Sequence, residues 1–228
     1  MAYRLRNLVG FQPRLAPELG YGKAVHHVLR AVAEATRATG TVPDAAGLDD
    51  ILDKSFFLPA ANKAAHRELK RTARELIDTY VTDHADDLYR VWETERPFEL
   101  HLPGITVTGR ADVILDQEDG VPTALAIVDY KTRTAGDVTP HALQLQVYTD
   151  AGRREQLDVR GAYVQDLSAK VVVNRRIPID VTPAAVTAAE AVVTGAAGQL
   201  RARDYTPNPG KTRCRRCEVR TICPAATK

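Results

Sequence analysis

Near residue 91 the spacing of apolar side chains changes from a helical to an extended period, and that change constrains the fold more than any other feature of the chain. Between Gly22 and Ala38, the residues Val25, Val28, Leu29, Val32 and Ala33 fall on one face of a 3.6-residue repeat, which predicts an amphipathic helix. Thr39 to Gly47 reads as a loop, and about Pro59 to His84 as a second helical region, with Leu69, Ala73, Leu76, Ile77 and Tyr80 at helical spacing. Beyond it, Trp92 to Leu102, Thr106 to Leu115 and Ala124 to Tyr130 are rich in β-branched and aromatic residues, with Pro103-Gly104 and Asp119-Gly120 as turns between them. Thr139, before Pro140, is a plausible helix cap, and Leu143, Val147 and Tyr148 carry that helix to about Glu155. Gly161 to Leu167 and Lys170 to Ile177 read as a further strand pair, and Pro183 to Arg203 as an Ala- and Val-rich helix. Helices, three strands, helix, two strands, helix: this order predicts an α/β or α+β domain around a mixed sheet.

At 228 residues the chain can bury a substantial core without covalent staples. No repeat, low-complexity tract or Gly/Ser linker divides it, so a single domain over 1–228 is expected. Within it, 1–90 is mainly helical, 91–180 carries the sheet and its helix, and 181–228 a helix and a Cys-rich tail. Apolar runs such as Ala124 to Val128 are far shorter than the roughly 20 residues a bilayer requires. The amino end has no apolar signal core, so the expectation is a cytoplasmic protein with no membrane partner. A formal charge of +2 says little about partners, but Lys211 to Arg220 carries five basic residues against one acid. A solvated tail and a phosphate-contacting patch both fit that segment.

The densest chemical cluster is GRADVI at Gly109 to Ile114 followed by IVDYKT at Ile127 to Thr132. Asp112 and Asp129 are seventeen residues apart, enough for adjacent strands to bring the two carboxylates together. Neighbouring carboxylates repel unless a cation lies between them, and hard oxygen ligands suit Mg²⁺ or Mn²⁺. Lys131 follows Asp129 by two residues, so strand alternation places both on one face. An ammonium there can orient an attacking water or stabilise charge developing on a phosphate, which is the layout of a phosphodiester-hydrolysing centre. An Asp and a Lys two apart on a strand are also the ordinary composition of an exposed polar face. His26, four residues after Gly22, is acceptable as a ligand for Mn²⁺ and equally at home as a satisfied helix histidine, with His27 beside it facing elsewhere. Gln144 and Tyr148 share a helix face, where they could bond a phosphate or stack on a base, or belong to surface and core respectively.

Taken in order, GKAVH at 22–26, GRAD at 109–112, VDYKT at 128–132, QLQVY at 144–148, and CRRC at 214–217 with a later Cys resemble the RecB-type branch of the PD-(D/E)XK nuclease superfamily. In particular they resemble the nuclease domains at the carboxyl ends of bacterial UvrD/RecB/AddB-like helicases, over about Arg4 to Pro224. The resemblance implies an α/β, restriction-endonuclease-like fold with a mixed central sheet flanked by helices. It implies that His26, Asp112, Asp129 and the backbone carbonyl of Tyr130 bind Mg²⁺ or Mn²⁺, that Lys131 is the catalytic lysine, and that Gln144 and Tyr148 support DNA binding. Glu95 is a candidate outer-sphere carboxylate. The implied reaction is metal-dependent hydrolysis of DNA, commonly single strands produced by a helicase partner, in recombination and repair near the bacterial nucleoid. No P-loop motif occurs, so any ATP-driven motor lies outside this sequence.

Cys214, Cys217 and Cys223, the three cysteines of the chain, have a spacing that suits zinc or an iron–sulfur cluster, but a closed site needs four ligands. The resemblance implies a [4Fe–4S] cluster completed by a cysteine near the start of the nuclease domain, and the expectation is that this chain begins just inside that ligand. Free thiols, or zinc held with a histidine, are the alternatives. Two rival functions are a catalytically silent single-stranded DNA-binding module and a structural scaffold; the scaffold predicts neither metal affinity nor salt-dependent DNA binding.

Overall fold

In a computed structural model, residues 2–12, 19–116, 124–134, 138–171, 175–215 and 217–227 are described. The chain divides into two compact units, Pro17–Ala191 and Met1–Ala16 with Val192–Lys228.

The larger unit opens with α1 (Tyr21–Thr39), α2 (Ala45–Ser55), α3 (Lys63–Asp83) and α4 (Ala85–Tyr89). α1 ends at Gly40, whose left-handed φ of 71° lets its N–H reach the Thr36 carbonyl and close the last turn. The loop expected over Thr39 to Gly47 is shorter than its composition suggested. Asp44 accepts a hydrogen bond from the Gly47 N–H at 2.8 Å and so starts α2 inside it. Asn62 does the same for α3 through the Ala65 N–H, which moves that helix start from Pro59 to Lys63.

Five strands follow in sheet order β1 to β5: β1 (Val91–Leu102), β2 (Ile105–Asp116), β3 (Leu125–Lys131), β4 (Val159–Asp166) and β5 (Arg176–Pro178). Pro103 and Gly104 form the two-residue β1–β2 turn, with Gly104 at φ 75°; the Asp119-Gly120 turn lies outside the described residues. β3 pairs antiparallel with β2 and parallel with β4, and α5 (Thr139–Arg154) makes the crossover between them. Val138, not Thr139, occupies the cap position of α5, because the helix already includes Thr139. The second strand of the last pair is also shorter than expected: Ser168 bonds back to Asp166 through its N–H and hydroxyl, turning the chain, and pairing resumes only at Arg176.

β3 is buried along Leu125 to Tyr130, as a central strand flanked by a parallel neighbour should be. Val113, Leu115, Val128 and Tyr130 join Val25, Val28, Leu29 and Val32 of α1 and Ile77 and Tyr80 of α3 in one hydrophobic core. α5 packs on β1, β3 and β4, approaching so closely that a Cβ on Gly152 would lie 3.0 Å from the Val159 side chain. The unit closes with the first half of α6 (Pro183–Arg201). The smaller unit contains the end of α6, the short α7 (Lys211–Arg215) and a π-helical turn at Arg4–Leu8. Within it Arg6 pairs with Glu218 and the rings of Tyr3 and Tyr205 stack. Among the described residues, no helix is long and apolar enough to cross a membrane.

Candidate active site

The site forms where β2 and β3 part. Their ladder ends at the pair Val113–Val128, so Asp112 and Asp129 are the first residues beyond it. Released from strand pairing on that side, the Tyr130 N–H donates to Asp112 Oδ2 at 2.8 Å. β3 meanwhile stays paired with β4 through Lys131, so the Asp129-Tyr130-Lys131 backbone is held on one side while its other side opens.

Five side chains gather here. His26 Nδ1 and Asp112 Oδ1 are 3.2 Å apart, Lys131 Nζ is 2.6 Å from Asp129 Oδ2, and Gln144 Nε2 lies 3.4 Å from Asp129 Oδ1. Gln144 also donates to the Tyr148 hydroxyl at 3.1 Å, and the same hydroxyl accepts the Arg110 N–H at 3.1 Å. The motifs GKAVH, GRAD, DYK and QLQVY are therefore one connected hydrogen-bonded set. Gly109 is the close-approach point: a Cβ there would lie 2.3 Å from the Tyr148 ring.

Charge explains the local electrostatics. Burial pushes the Asp129 carboxyl above its ordinary value, the negative Asp112 adds to this, and Lys131 opposes both. Burial pulls His26 down, but the hydrogen bond and charge of Asp112 outweigh it and the net shift is upward. Asp129 is 3% exposed, and the Lys131 ammonium is the partner of its buried Oδ2. A buried carboxylate beside a second carboxylate and an imidazole is a donor set that fits a hard divalent cation. Among the described residues, no three His, Cys, Asp or Glu side chains are arranged as a ready ligand set. Here His26 and Asp112 engage one another, and Lys131 stands against Asp129.

A cleft of about 400 Å³ is lined by His26, Asp112 and Lys131 together with Lys23, Arg110 and Arg133, whereas Asp129 and Gln144 are not in its lining. His27, expected to face elsewhere, also lines it, because a 100° step along α1 still leaves both histidines on the cleft side. Glu95 lines it too, opposite Asp112 between the pairs Thr94–Val113 and Arg96–Ala111, with its carboxylate 3.7 Å from Arg110. Its φ of 52° is left-handed, a conformation that costs a non-glycine residue about 1 kcal/mol. Sequence reasoning missed Lys23, Arg110 and Arg133, although their place within GKAVH, within GRAD and directly after DYKT was the available signal. It also missed the Tyr130 side chain, which turns away from Asp129 and Lys131 and bonds the Tyr80 hydroxyl at 2.9 Å in the core.

The three cysteines are free thiols, and all line one pocket of about 270 Å³ in the smaller unit, together with Ala2. Hydrogen bonds from Thr227 and the Gly210 backbone lower the Cys214 thiol to about 7.

A sequence profile for the PD-(D/E)XK nuclease superfamily matches residues 1–224. Among solved structures, a candidate exonuclease from Eubacterium rectale is similar at a TM-score of 0.56 and 16% identity, covering 99% of this chain and 82% of that one. SSO0001 is similar at a TM-score of 0.43 and 15% identity, covering 91% and 86%. No curated protein matches significantly.

Proposed function

This chain belongs to the PD-(D/E)XK nuclease superfamily, and from that premise we propose that it hydrolyses DNA phosphodiester bonds with a divalent metal at Asp112 and Asp129. The observation that carries the reading is the convergence of Asp112, Asp129, Lys131 and His26 at the point where β2 and β3 separate, beside a cleft whose lining includes Lys23, Arg110 and Arg133. Asp112, Asp129, His26 and the Tyr130 carbonyl would hold Mg²⁺ or Mn²⁺. Such an ion, when bound, supplies Lewis-acid polarisation of the phosphate and activation of water.

The chain's own residues do the rest. Lys23, Arg110 and Arg133 draw the phosphate backbone into the cleft and set its position there. Lys131 holds a fixed positive charge beside the reacting centre, where it stabilises charge building on the phosphate. Gln144, tied to both Asp129 and Tyr148, fixes the rotamer of the buried carboxylate and links it to the Gly109–Arg110 backbone. Single-stranded DNA is the proposed substrate, delivered by a helicase motor in the cytoplasm during recombination or repair. The three thiols are proposed as soft-metal ligands; the [4Fe–4S] form of that reading requires a fourth thiolate that this sequence does not contain.

The test is cleavage of end-labelled single- and double-stranded DNA with Mn²⁺, Mg²⁺ or EDTA, comparing the wild type with Lys131→Ala. Cleavage by the wild type that is lost in EDTA and in the variant is the expected result. Metal-independent cleavage, or full activity in the variant, overturns the reading. Binding without cleavage identifies the silent binding module instead.

A further inference from the structure

A second feature of the larger unit lies outside the cleft. The segment joining α2 to α3 carries two adjacent phenylalanines with opposite fates. Phe56 is buried, edge-on to both Tyr21 and His66, whereas Phe57 is 71% exposed, the most exposed large apolar side chain among the described residues. A groove of about 530 Å³ runs beside Phe57, with Leu58 and Ala61 in its lining and Lys63, His66 and Arg67 along its edge. Every titratable residue lining it is basic.

The cations differ from the others on the same helix. Lys70 pairs with Asp53, Arg71 with Glu68 and Glu75, and Arg74 with Asp49 and Asp78. Lys63 and Arg67, one turn apart on α3, have no ion pair among the described residues. Charge is thus neutralised along α3 except where the exposed ring stands. The chain neighbour of Phe57, Phe56, packs on Tyr21 of α1, and the next two residues of that helix, Gly22 and Lys23, line the cleft.

An exposed aromatic ring beside two unpaired cations suits a single strand, which offers both phosphates and unpaired bases that are free to stack. In a duplex the bases are already stacked on one another. We propose that the Phe57 groove is a docking shelf for single-stranded DNA, with a base on Phe57 and flanking phosphates on Lys63 and Arg67. This rests on the nuclease reading above for its ligand and accounts for the single-strand preference proposed there.

The experiment measures binding of a labelled oligothymidylate and of a duplex of equal length in EDTA, so that no cleavage intervenes. Phe57→Ala is expected to weaken single-strand binding about fivefold or more and to leave duplex binding unchanged. Lys63→Gln with Arg67→Gln is expected to reduce the salt slope by about 1.4, the contribution of two single-strand phosphates. Phe57→Trp is expected to bind as the wild type does and to lose indole fluorescence when saturated. No single-strand binding by the wild type, unchanged affinity in Phe57→Ala, or an equal loss on duplex overturns the proposal. Wild-type cleavage of DNA is scored separately, so a failed shelf and a failed nuclease give different results.

Discussion

Replacing Gly109 by alanine tests whether the QLQVY helix and the GRAD strand are locked together at one atom. Gly109 does not have a left-handed φ, so its backbone gives no reason for a glycine. What it provides is space: an added Cβ would lie 2.3 Å from Tyr148 Cε1 and 2.6 Å from Tyr148 Oη. The ring cannot slide freely, because it packs on Phe98 at 5.8 Å and its hydroxyl accepts hydrogen bonds from Arg110 and Gln144. Overpacking costs about 1–3 kcal/mol, and displacing the hydroxyl loses two hydrogen bonds worth about 1 kcal/mol each. Alanine recovers about 0.5–1 kcal/mol of strand stability relative to glycine. The balance is a destabilisation of about 2–4 kcal/mol, read from the urea midpoint at constant m. In a Tyr148→Ala background the same change has nothing to strike and becomes neutral or slightly stabilising. If Gly109→Ala costs less than about 0.5 kcal/mol, or costs the same with and without Tyr148, the lock is not real.

Tyr80→Phe leaves the buried Tyr130 hydroxyl without its partner, and a loss of about 1–3 kcal/mol is expected in chemical denaturation, partly restored by adding Tyr130→Phe. Glu95→Gly relieves a left-handed residue, so stability is expected to stay level or to rise by up to about 1 kcal/mol, whereas Glu99→Gly on the same strand lowers it; equal losses at both would refute the strain. His84 is held below its ordinary value by burial and by the charge of Arg176, against Asp87. The unfolded chain protonates this histidine near pH 6.5 and the native chain only lower, so the unfolded state binds more protons and stability falls as pH drops below about 6.5. His84→Gln is therefore expected to have a urea midpoint that depends less on pH across that window.

How much of this was legible in the sequence depended on whether a feature was set by local period or by long-range geometry. α1, β1, β2 and α5 follow from side-chain spacing, because each buries one face against a neighbour and the period records that face. α2 escaped because its start depends on a single hydrogen bond, from the Gly47 N–H to Asp44, inside a stretch whose Pro, Gly and Thr content reads as loop. β5 was overextended because an apolar run does not reveal that Ser168 folds the chain back on Asp166. At the site, residue types and spacing placed Asp112, Asp129 and Lys131 on neighbouring strands, yet no local signal shows that the β2–β3 ladder stops at Val113. That end point frees the Tyr130 N–H for Asp112. Gly109 reads in sequence as one letter of a motif, and its reason, the Tyr148 ring, lies 39 residues away.

The arrangement at Asp129 leads to one more prediction, about cation affinity rather than turnover. Two carboxylates share this end of the sheet, and each already has a partner: His26 at Asp112 and the Lys131 ammonium at Asp129. An ammonium 2.6 Å from a buried carboxylate oxygen competes for that oxygen with any incoming divalent ion, and its charge repels the ion as well. Lys131→Met keeps much of the aliphatic stem and removes both effects. The variant should therefore bind Mn²⁺ several times more tightly than the wild type in calorimetric titration, while losing cleavage. A residue that merely supported the fold would lower both, and a direct ligand would do the same. Weaker Mn²⁺ binding in Lys131→Met, with the fold intact by circular dichroism, would show that the lysine helps to assemble the cation site and does not compete for it.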